Sequence, residues 1–381
     1  MNVLYVAPRY HTNQVPIMRG WLQNGHKVMF ISQLTSPGEN HNDVKPIILG
    51  YSSLFNLWFK SVNKMKKRDD PDEMFAVSSK KGFPPYFKLR KLILDFKPDV
   101  AILRERSLYN IIVYAICKRH GIPAILYNQS PAWQEKRDSN PLLRRLVRSL
   151  SPKYRITVSE GTPGPNMVRD PHTYYVSFVM EPHFLPEEKT YCKDGVVHFL
   201  CVGRFMECKN HLLMLDVCSE LLEKYPIHLT LVGEVSCESQ EAYYASVLKL
   251  IEEKQIGEHV TLIRNATQKT VFEEYGKADV FLLPSEEKVS ISQLEAMSCS
   301  LPVICSNLHG KATYVKNEVN GYLVEVNNRA DLLDKMEKLI LDKDRMHEMG
   351  RKSFELVMEK SSFQNYYNHI IQILDDMKHG R

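Results

Sequence analysis

Residues 278–326 read ADVFLLPSEEKVSISQLEAMSCSLPVICSNLHGKATYVKNEVNGYLVEV. The apolar run Val280–Leu283 stops at Pro284-Ser285, a loop with the carboxylates Glu286 and Glu287 follows, and Ile291–Ser298 has helical spacing. A second apolar run begins at Pro302. Strand, loop, helix and strand in this order form a right-handed crossover between parallel strands. Open sheets of this kind bind ligands beyond the carboxyl ends of their strands, which puts the 284–291 loop at a binding site. Backbone N–H groups of Lys288, Val289, Ser290 and Ile291, with the helix dipole behind them, suit an anion such as phosphate. Glu287 and Glu295 beside them suit sugar and ribose hydroxyls, because a carboxylate oxygen accepts hydrogen bonds. Taken singly, each glutamate reads more readily as an ordinary helix charge.

The same alternation extends in both directions. Upstream, Val196–Gly203, His228–Val232 and Val260–Ile263 read as strands, separated by helices at Leu212–Lys224 and Gln240–Glu253. Downstream, Arg329–Leu341 reads as a helix. In the N-terminal half, strands at Asn2–Ala7, His26–Ser32, Asp99–Leu103 and Pro123–Tyr127 alternate with helices at Ile17–Leu22, Tyr86–Phe96 and Leu108–Arg119. Residues 54–81 break this rhythm with Trp58, Phe59, Lys60, Lys64, Lys66, Lys67 and Arg68, and read as a basic excursion. A Gly- and Pro-rich zone from Ser159 leads to a linker near 182–195. The fold class is therefore α/β, with two doubly wound Rossmann-like domains in tandem around a cleft. Residues 1–185 form the first and 190–360 the second. The final segment, 361–381, carries Phe363, Tyr367, Ile370, Leu374 and Met377 on one helical face, which needs an apolar partner.

Composition agrees with a globular chain of 381 residues, 44% hydrophobic and 25% charged. No apolar run approaches the roughly 18 residues of a membrane span. The N-terminus lacks the basic start and cleavage site of a signal peptide. Eight cysteines without a CxxC, and no His pair at metal spacing, read as reduced thiols in a cytoplasmic protein and predict no metal site. The net charge of +5 is unevenly spread. Residues 1–190 hold 28 Lys/Arg against 16 Asp/Glu, and residues 191–381 hold 22 against 29. A basic first half suits an anionic membrane surface or a phosphorylated substrate. Nucleic-acid binding has only this charge to support it, with no interleaved aromatic motif, and is not expected.

A second chemical segment is Val202-Gly203-Arg204-Phe205-Met206-Glu207-Cys208-Lys209-Asn210. Arg204 and Lys209 follow a strand, where two cations can clamp a diphosphate and stabilise it as it leaves. There is no GxxxxGK[ST], and no GxGxxG after the first strand, which disfavours nicotinamide and flavin chemistry.

Together, the VGR…K segment, ADVFLLPS, Glu287-x7-Glu295, LEAM before LPVICS, and NGYLV resemble the retaining, family 4-type glycosyltransferases of the GT-B fold, in the family's order and spacing. The first half is similar more weakly, through NGHKVMFIS, KPDVAILR and GIPAILY. The resemblance implies that Arg204 and Lys209 hold the donor's diphosphate and that Glu287 contacts the donor sugar. It places Glu295 on the ribose, the amides of Lys288–Ile291 on sugar and phosphate, and Asn265 where the family grips the base. It implies that the last helix crosses back to the first domain. It also implies sugar transfer without metal or cofactor. Three departures stand out. Lys288, Val289 and Ser290 replace Gly-Phe-Gly, narrowing the backbone's freedom. Arg9–Gln14, including His11, replaces a glycine-rich loop. Asn128, Gln129 and Ser130 stand where many relatives carry a histidine; amides hydrogen-bond a sugar but do no acid–base work. His11, Asn128 and Gln129 are the residues expected on the acceptor side.

The resulting expectation is an enzyme peripheral to the inner face of the membrane. It would move a hexose-type sugar from a nucleotide diphosphate donor to a growing lipid-linked or cell-surface glycan. Arg144, Arg145 and Arg148 join the lysine run as candidate membrane contacts. The alternatives are a catalytically inert GT-B partner subunit and a sugar-nucleotide epimerase.

Overall fold

In a computed structural model, the structure describes residues 1–35, 39–66, 71–105, 107–135, 149–161, 163–286, 290–308 and 314–380. Its contacts divide the chain into two units, Met1–Val179 with Phe363–Arg381, and Met180–Ser362. The boundary falls a few residues before the Pro-rich stretch expected as the linker. Residues 180–195 are instead tied to the second unit. The Lys189 ammonium donates to the carbonyls of Tyr275 and Gly276, and the Asp279 carboxylate accepts from the backbone N–H of Cys192 (2.8 Å) and His198 (2.7 Å).

The first unit is built on β1 (Asn2–Ala7), β2 (Lys27–Ser32), β3 (Ile47–Ile48), β4 (Val100–Arg104), β5 (Ala124–Tyr127), β7 (Arg155–Thr157) and β9 (Thr173–Tyr175), in the order β3-β2-β1-β4-β5-β7-β9. Every pairing in this sheet is parallel. Two short strands, β6 (Trp133–Glu135) and β8 (Met167–Arg169), pair antiparallel beside it. Strands β1 and β4 are buried on both faces, as expected where helices cover a parallel sheet. Its helices are α1 (Val15–Gln23), α2 (Ser53–Lys66), α3 (Pro71–Lys81), α4 (Tyr86–Phe96) and α5 (Leu108–Arg119). The stretch read as a basic excursion is thus largely helical. α2 is amphipathic, its period obscured in the sequence by the crowding of large apolar residues in 54–59, whereas α3 is mostly polar and has only a weak apolar period. Lys67, Arg68, Arg144, Arg145 and Arg148 lie outside the described residues.

The second unit has β10 (Val197–Val202), β11 (Ile227–Gly233), β12 (Val260–Arg264), β13 (Val280–Leu283), β14 (Val303–Ser306) and β15 (Gly321–Val324), all parallel, in the order β12-β11-β10-β13-β14-β15. Its helices are α6 (His211–Leu221), α7 (Glu238–Glu253), α8 (Gln268–Lys277), α9 (Ile291–Ser298), α10 (Arg329–Leu341) and α11 (Lys343–Ser361). Side-chain caps fix several starts: Thr267 accepts from the Thr270 amide, Asn328 from Asp331 and Asp342 from Arg345. The strand order reverses between β10 and β13, which opens a crevice at their carboxyl ends.

The last helix, α12 (Phe363–His379), belongs to the first unit. Tyr366, Ile370 and Ile373 are buried there among Val3, Tyr5, Met18 and Trp21, with Phe363, Tyr367, Leu374 and Met377 partly buried around them. The Trp21 indole donates to the Tyr5 hydroxyl (2.8 Å), which lies 2.9 Å from the Tyr366 hydroxyl. Tyr174 donates to the Asp376 carboxylate at 2.7 Å. All eight cysteines are free thiols, with Cys237 exposed and Cys208 half-buried. No helix among the described residues is long and apolar enough to cross a membrane.

Candidate active site

The crevice of the second sheet is bordered by the loops after β10 and β13. After β10, Arg204 is exposed while Lys209 is 96% removed from solvent. Lys209 folds back along the strand end. A Cβ on Gly203 would meet its Cε at 3.0 Å and its Nζ at 3.3 Å. Gly203 and Gly233 also meet closely, since a Cβ on Gly233 would stand 2.3 Å from the Gly203 carbonyl oxygen. Two glycines on adjacent strand ends let the backbones approach, and the lysine occupies the space above them. His211 opens α6 fully buried, face to face with Phe205 at 4.9 Å, and neither ring nitrogen has a hydrogen-bond partner. Burial, with the Lys209 ammonium adding to it, pulls its imidazole down to about 3. It is therefore a neutral ring.

The loops are tied together at this end of the sheet. Asn210 takes the left-handed conformation (φ 60°) and donates through its amide to the Pro284 carbonyl (2.6 Å) and to Asn327 Oδ1 (2.7 Å). Asn327, itself at φ 58°, donates to Glu286 Oε1 at 2.9 Å, and the Glu286 amide donates to the Cys208 carbonyl at 2.9 Å. The loops after β10, β13 and β15 thus share one side-chain network. Neither asparagine was singled out by sequence. Their signal is the short polar side chain that tolerates φ > 0, and it becomes legible only with the fold.

Ser290 precedes α9 in extended backbone, and its hydroxyl lies 2.7 Å from that of Ser292 without capping the helix; Ile291 is the first helical residue. Glu287, Lys288 and Val289 lie outside the described residues. Glu295, one helical turn further along α9, is half-buried. The fully buried Tyr275 hydroxyl stands 3.0 Å from the Ser292 carbonyl and 3.2 Å from Glu295 Oε2, sharing its proton between them. Burial pushes the Glu295 carboxyl up to about 7, against the Tyr275 hydrogen bond that lowers it. Asn265 follows β12 at φ 51° and engages the next loop, with Oδ1 accepting from the Val235 N–H at 2.9 Å. Its side chain braces the loop after β11, and the backbone around it borders the strand ends.

In the first unit, the residues expected on the acceptor side also follow strand ends. His11 opens a short turn (Thr12–Gln14), and its ring Nε2 accepts from Arg9 Nε at 3.3 Å. Burial first, then Arg104 and Arg9, draws its imidazole down to about 3, so it is neutral. Arg104, at the end of β4, is nearly buried with its guanidinium over the Tyr127 ring. The resemblance carried by KPDVAILR assigns Arg104 no role. Asn128 Oδ1 accepts from the Ser130 N–H at 3.2 Å, and Gln129 is exposed.

Residues 188–355 match the family model described as glycosyl transferases group 1. Among curated relatives, a D-inositol 3-phosphate glycosyltransferase of Pseudarthrobacter chlorophenolicus is 27% identical over 161 residues, 41% of this chain and 37% of that protein. The alpha-1,3/1,6-mannosyltransferase ALG2 of Mus musculus is 27% identical over 183 residues, 46% of this chain and 44% of that protein. A UDP-Gal:alpha-D-GlcNAc-diphosphoundecaprenol alpha-1,3-galactosyltransferase of Escherichia coli is 40% identical over 67 residues, 17% of each chain. The chain spans less than half the length of each of these relatives. Solved structures match along the whole chain. A glycosyltransferase of Rickettsia africae superposes with a TM-score of 0.72 at 16% identity, covering 98% of this chain and 97% of that one. Anabaena Alr3699/HepE, solved in complex with UDP and glucose, gives 0.69 at 12% identity, covering 99% and 100%. Residues 188–355 thus resemble the group 1 glycosyl transferases, and the chain as a whole has the GT-B fold of its structural neighbours.

Proposed function

We propose that the chain transfers a hexose-type sugar from a nucleotide diphosphate donor to a hydroxyl of a growing lipid-linked or cell-surface glycan, with retention at the anomeric carbon. The observation that carries this is the buried Lys209 beside Arg204 at the switch point of the second sheet, with Glu295 on the adjoining helix. In this reading Arg204 and Lys209 take the diphosphate. Negative charge grows there as the sugar–phosphate bond breaks, and fixed cations stabilise it without a metal or cofactor. Lys209 is desolvated, so its charge acts at low effective dielectric. Glu295 accepts from the ribose hydroxyls, Glu287 from the sugar, and the amides of Lys288, Val289, Ser290 and Ile291 meet the sugar and phosphate. The backbone beside Asn265 borders the base. The first unit, with His11, Asn128 and Gln129 at its strand ends, receives the acceptor. A neutral His11 serves there as a hydrogen-bonding group and not as a cationic acid.

The named relatives support a donor and acceptor of this kind, since one is named for a UDP-linked sugar and a diphosphoundecaprenol-linked acceptor, and a structural neighbour holds UDP and glucose. The basic first half suits a place on the cytoplasmic face of an anionic membrane. The test is a donor panel of uridine, guanosine and adenosine diphosphate sugars, with released nucleoside diphosphate measured with and without EDTA and the product's anomeric configuration read by NMR. Release with one donor, undiminished by EDTA and giving the donor's anomeric configuration, supports the reading. No release with any donor, or inverted product, overturns it.

A further inference from the structure

We propose that the face of the first unit formed by α2, the 83–88 segment and the start of α5 is a docking surface for an anionic lipid bilayer. The proposal extends the membrane reading above and does not depend on the sugar-transfer chemistry.

Three segments distant in sequence converge on one open apolar groove. It is lined by Leu54 and Trp58 from α2, by Phe83, Tyr86 and Phe87 at the start of α4, and by Leu108 at the start of α5. Their exposure is unusual for such side chains: Phe87 is 85% exposed, Leu54 81% and Trp58 45%. Leu57, 66% exposed, lies on the same helix. Contiguous exposed apolar surface of this kind marks an interaction site. Of Phe55 and Phe59, which the sequence would also send outward, Phe55 lines the groove and Phe59 does not, and neither is exposed as the others are. Phe55 is buried, stacked on Phe59 and set against Tyr51, so these two rings anchor α2 to its own unit.

The charge around the groove selects the occupant. Residues 51–64 and 79–90 contain Lys60, Lys64, Lys80, Lys81, Lys88 and Arg90 and no Asp or Glu, while Lys91 is paired with Asp95 and residues 67–73 add Lys67 and Arg68 against Asp69, Asp70, Asp72 and Glu73. Lys81 and Lys88 line the groove itself. An apolar centre with a basic rim fits a surface that is apolar below and anionic above, as an acidic-lipid leaflet is. Tyr86 and Trp58 are ring systems with a polar edge, which settle at the headgroup level. Attachment would be reversible and salt-sensitive.

The experiment uses the full chain with vesicles of phosphatidylcholine alone, phosphatidylcholine with phosphatidylglycerol, and the same mixture with brominated acyl chains. The expected results are sedimentation with the acidic vesicles only, reversal by about 0.5 M salt, and quenching of tryptophan emission by brominated lipid that is lost in Trp58→Phe. Leu54→Ser with Phe87→Ser, both largely exposed positions, should weaken binding by roughly tenfold or more with unchanged circular dichroism. Lys81→Gln with Lys88→Gln should weaken it further at low salt. Four outcomes overturn the proposal: no sedimentation, binding that ignores lipid charge, binding that ignores the Leu54 and Phe87 changes, or a dimer in gel filtration that these two changes dissolve. The last would make a second copy of the chain the occupant. Donor hydrolysis without vesicles reports on the active site separately, so loss of membrane binding and loss of transfer are distinguishable.

Discussion

The Lys209 side chain lies across Gly203, with its Cε 3.0 Å from where a Cβ on that glycine would stand. Gly203→Ala therefore pushes on the far end of a flexible side chain and leaves the strand in place. The expected outcome is a melting temperature close to wild type and a fall in kcat/KM for the donor of about 1–2 kcal/mol, or roughly 5- to 30-fold. Lys209→Ala should cost more, about 2–4 kcal/mol in transition-state stabilisation. Gly233→Ala is the contrasting case. Its Cβ would meet the Gly203 carbonyl at 2.3 Å, backbone that cannot swing away, so stability should drop by about 1–3 kcal/mol. Steady-state kinetics beside thermal melts of the three variants separate the effects. A Gly203→Ala enzyme with wild-type kinetics would remove Lys209 from the diphosphate.

Glu295 gives the second prediction. Its carboxyl titrates near 7 in the folded chain against an ordinary value of 4.5. The folded state thus holds this proton over a window where the unfolded chain has lost it. The contribution to stability is present in full below about 4.5 and is lost as pH rises through about 7. For the donor the sign is opposite, because the carboxylate is the better acceptor for ribose hydroxyls. Donor KM should therefore fall as pH rises from 6 to 8, roughly threefold or more. Glu295→Gln should flatten both profiles. A KM that is flat with pH in the wild type would separate Glu295 from the ribose.

The third prediction concerns α12. A Cβ on Gly20 would stand 2.1 Å from the Phe363 ring, which is held edge-on to Trp21 at 5.3 Å. Gly20→Ala would gain helix propensity in α1, yet it should destabilise the chain by about 1–3 kcal/mol because the ring, packed against Trp21, Tyr366 and Tyr367, must shift. Phe363→Ala removes the obstacle, so the double variant should be no less stable than Phe363→Ala alone. Denaturant melts of the two single variants and the double measure that coupling.

The sequence pattern is most legible where burial is symmetrical. Asn2–Ala7 and Val280–Leu283 are continuous apolar runs because helices cover both faces of a parallel sheet, and Ile291–Ser298 coincides with α9. It is least legible where tertiary partners replace the pattern. β7 carries Arg155, which is buried because its guanidinium donates to the Thr173 hydroxyl on β9. β3 has only two residues, and α11 is so polar that its buried Met346, Met349 and Val357 are too sparse to reveal it. At the candidate site, Arg204, Lys209 and Glu295 were readable from spacing and resemblance. The burial of Lys209 and the bracing by Asn210 and Asn327 were not. They depend on strands far apart in sequence bringing their carboxyl ends together at one end of the sheet.

That bracing is itself open to test. Asn210 holds φ 60°, a conformation that costs other non-glycine residues about 1 kcal/mol, while its amide links the Pro284 carbonyl to Asn327 and so to Glu286. Asn210→Gly keeps the backbone conformation and removes only the amide. Asn210→Ala removes the amide and adds backbone strain. If the network's work is to hold the 284–286 loop in place for the donor, both variants should raise donor KM by a similar factor, roughly 5- to 20-fold for the two lost hydrogen bonds. Asn210→Ala alone should lose about 1 kcal/mol more stability than Asn210→Gly. Glu286→Gln keeps an oxygen for Asn327 and should raise KM less than either. The measurement is donor kinetics alongside denaturant melts for all three. If KM follows stability, rising in Asn210→Ala and not in Asn210→Gly, Asn210 acts only through the fold. If KM rises equally in both while stability separates them, the amide positions the donor loop.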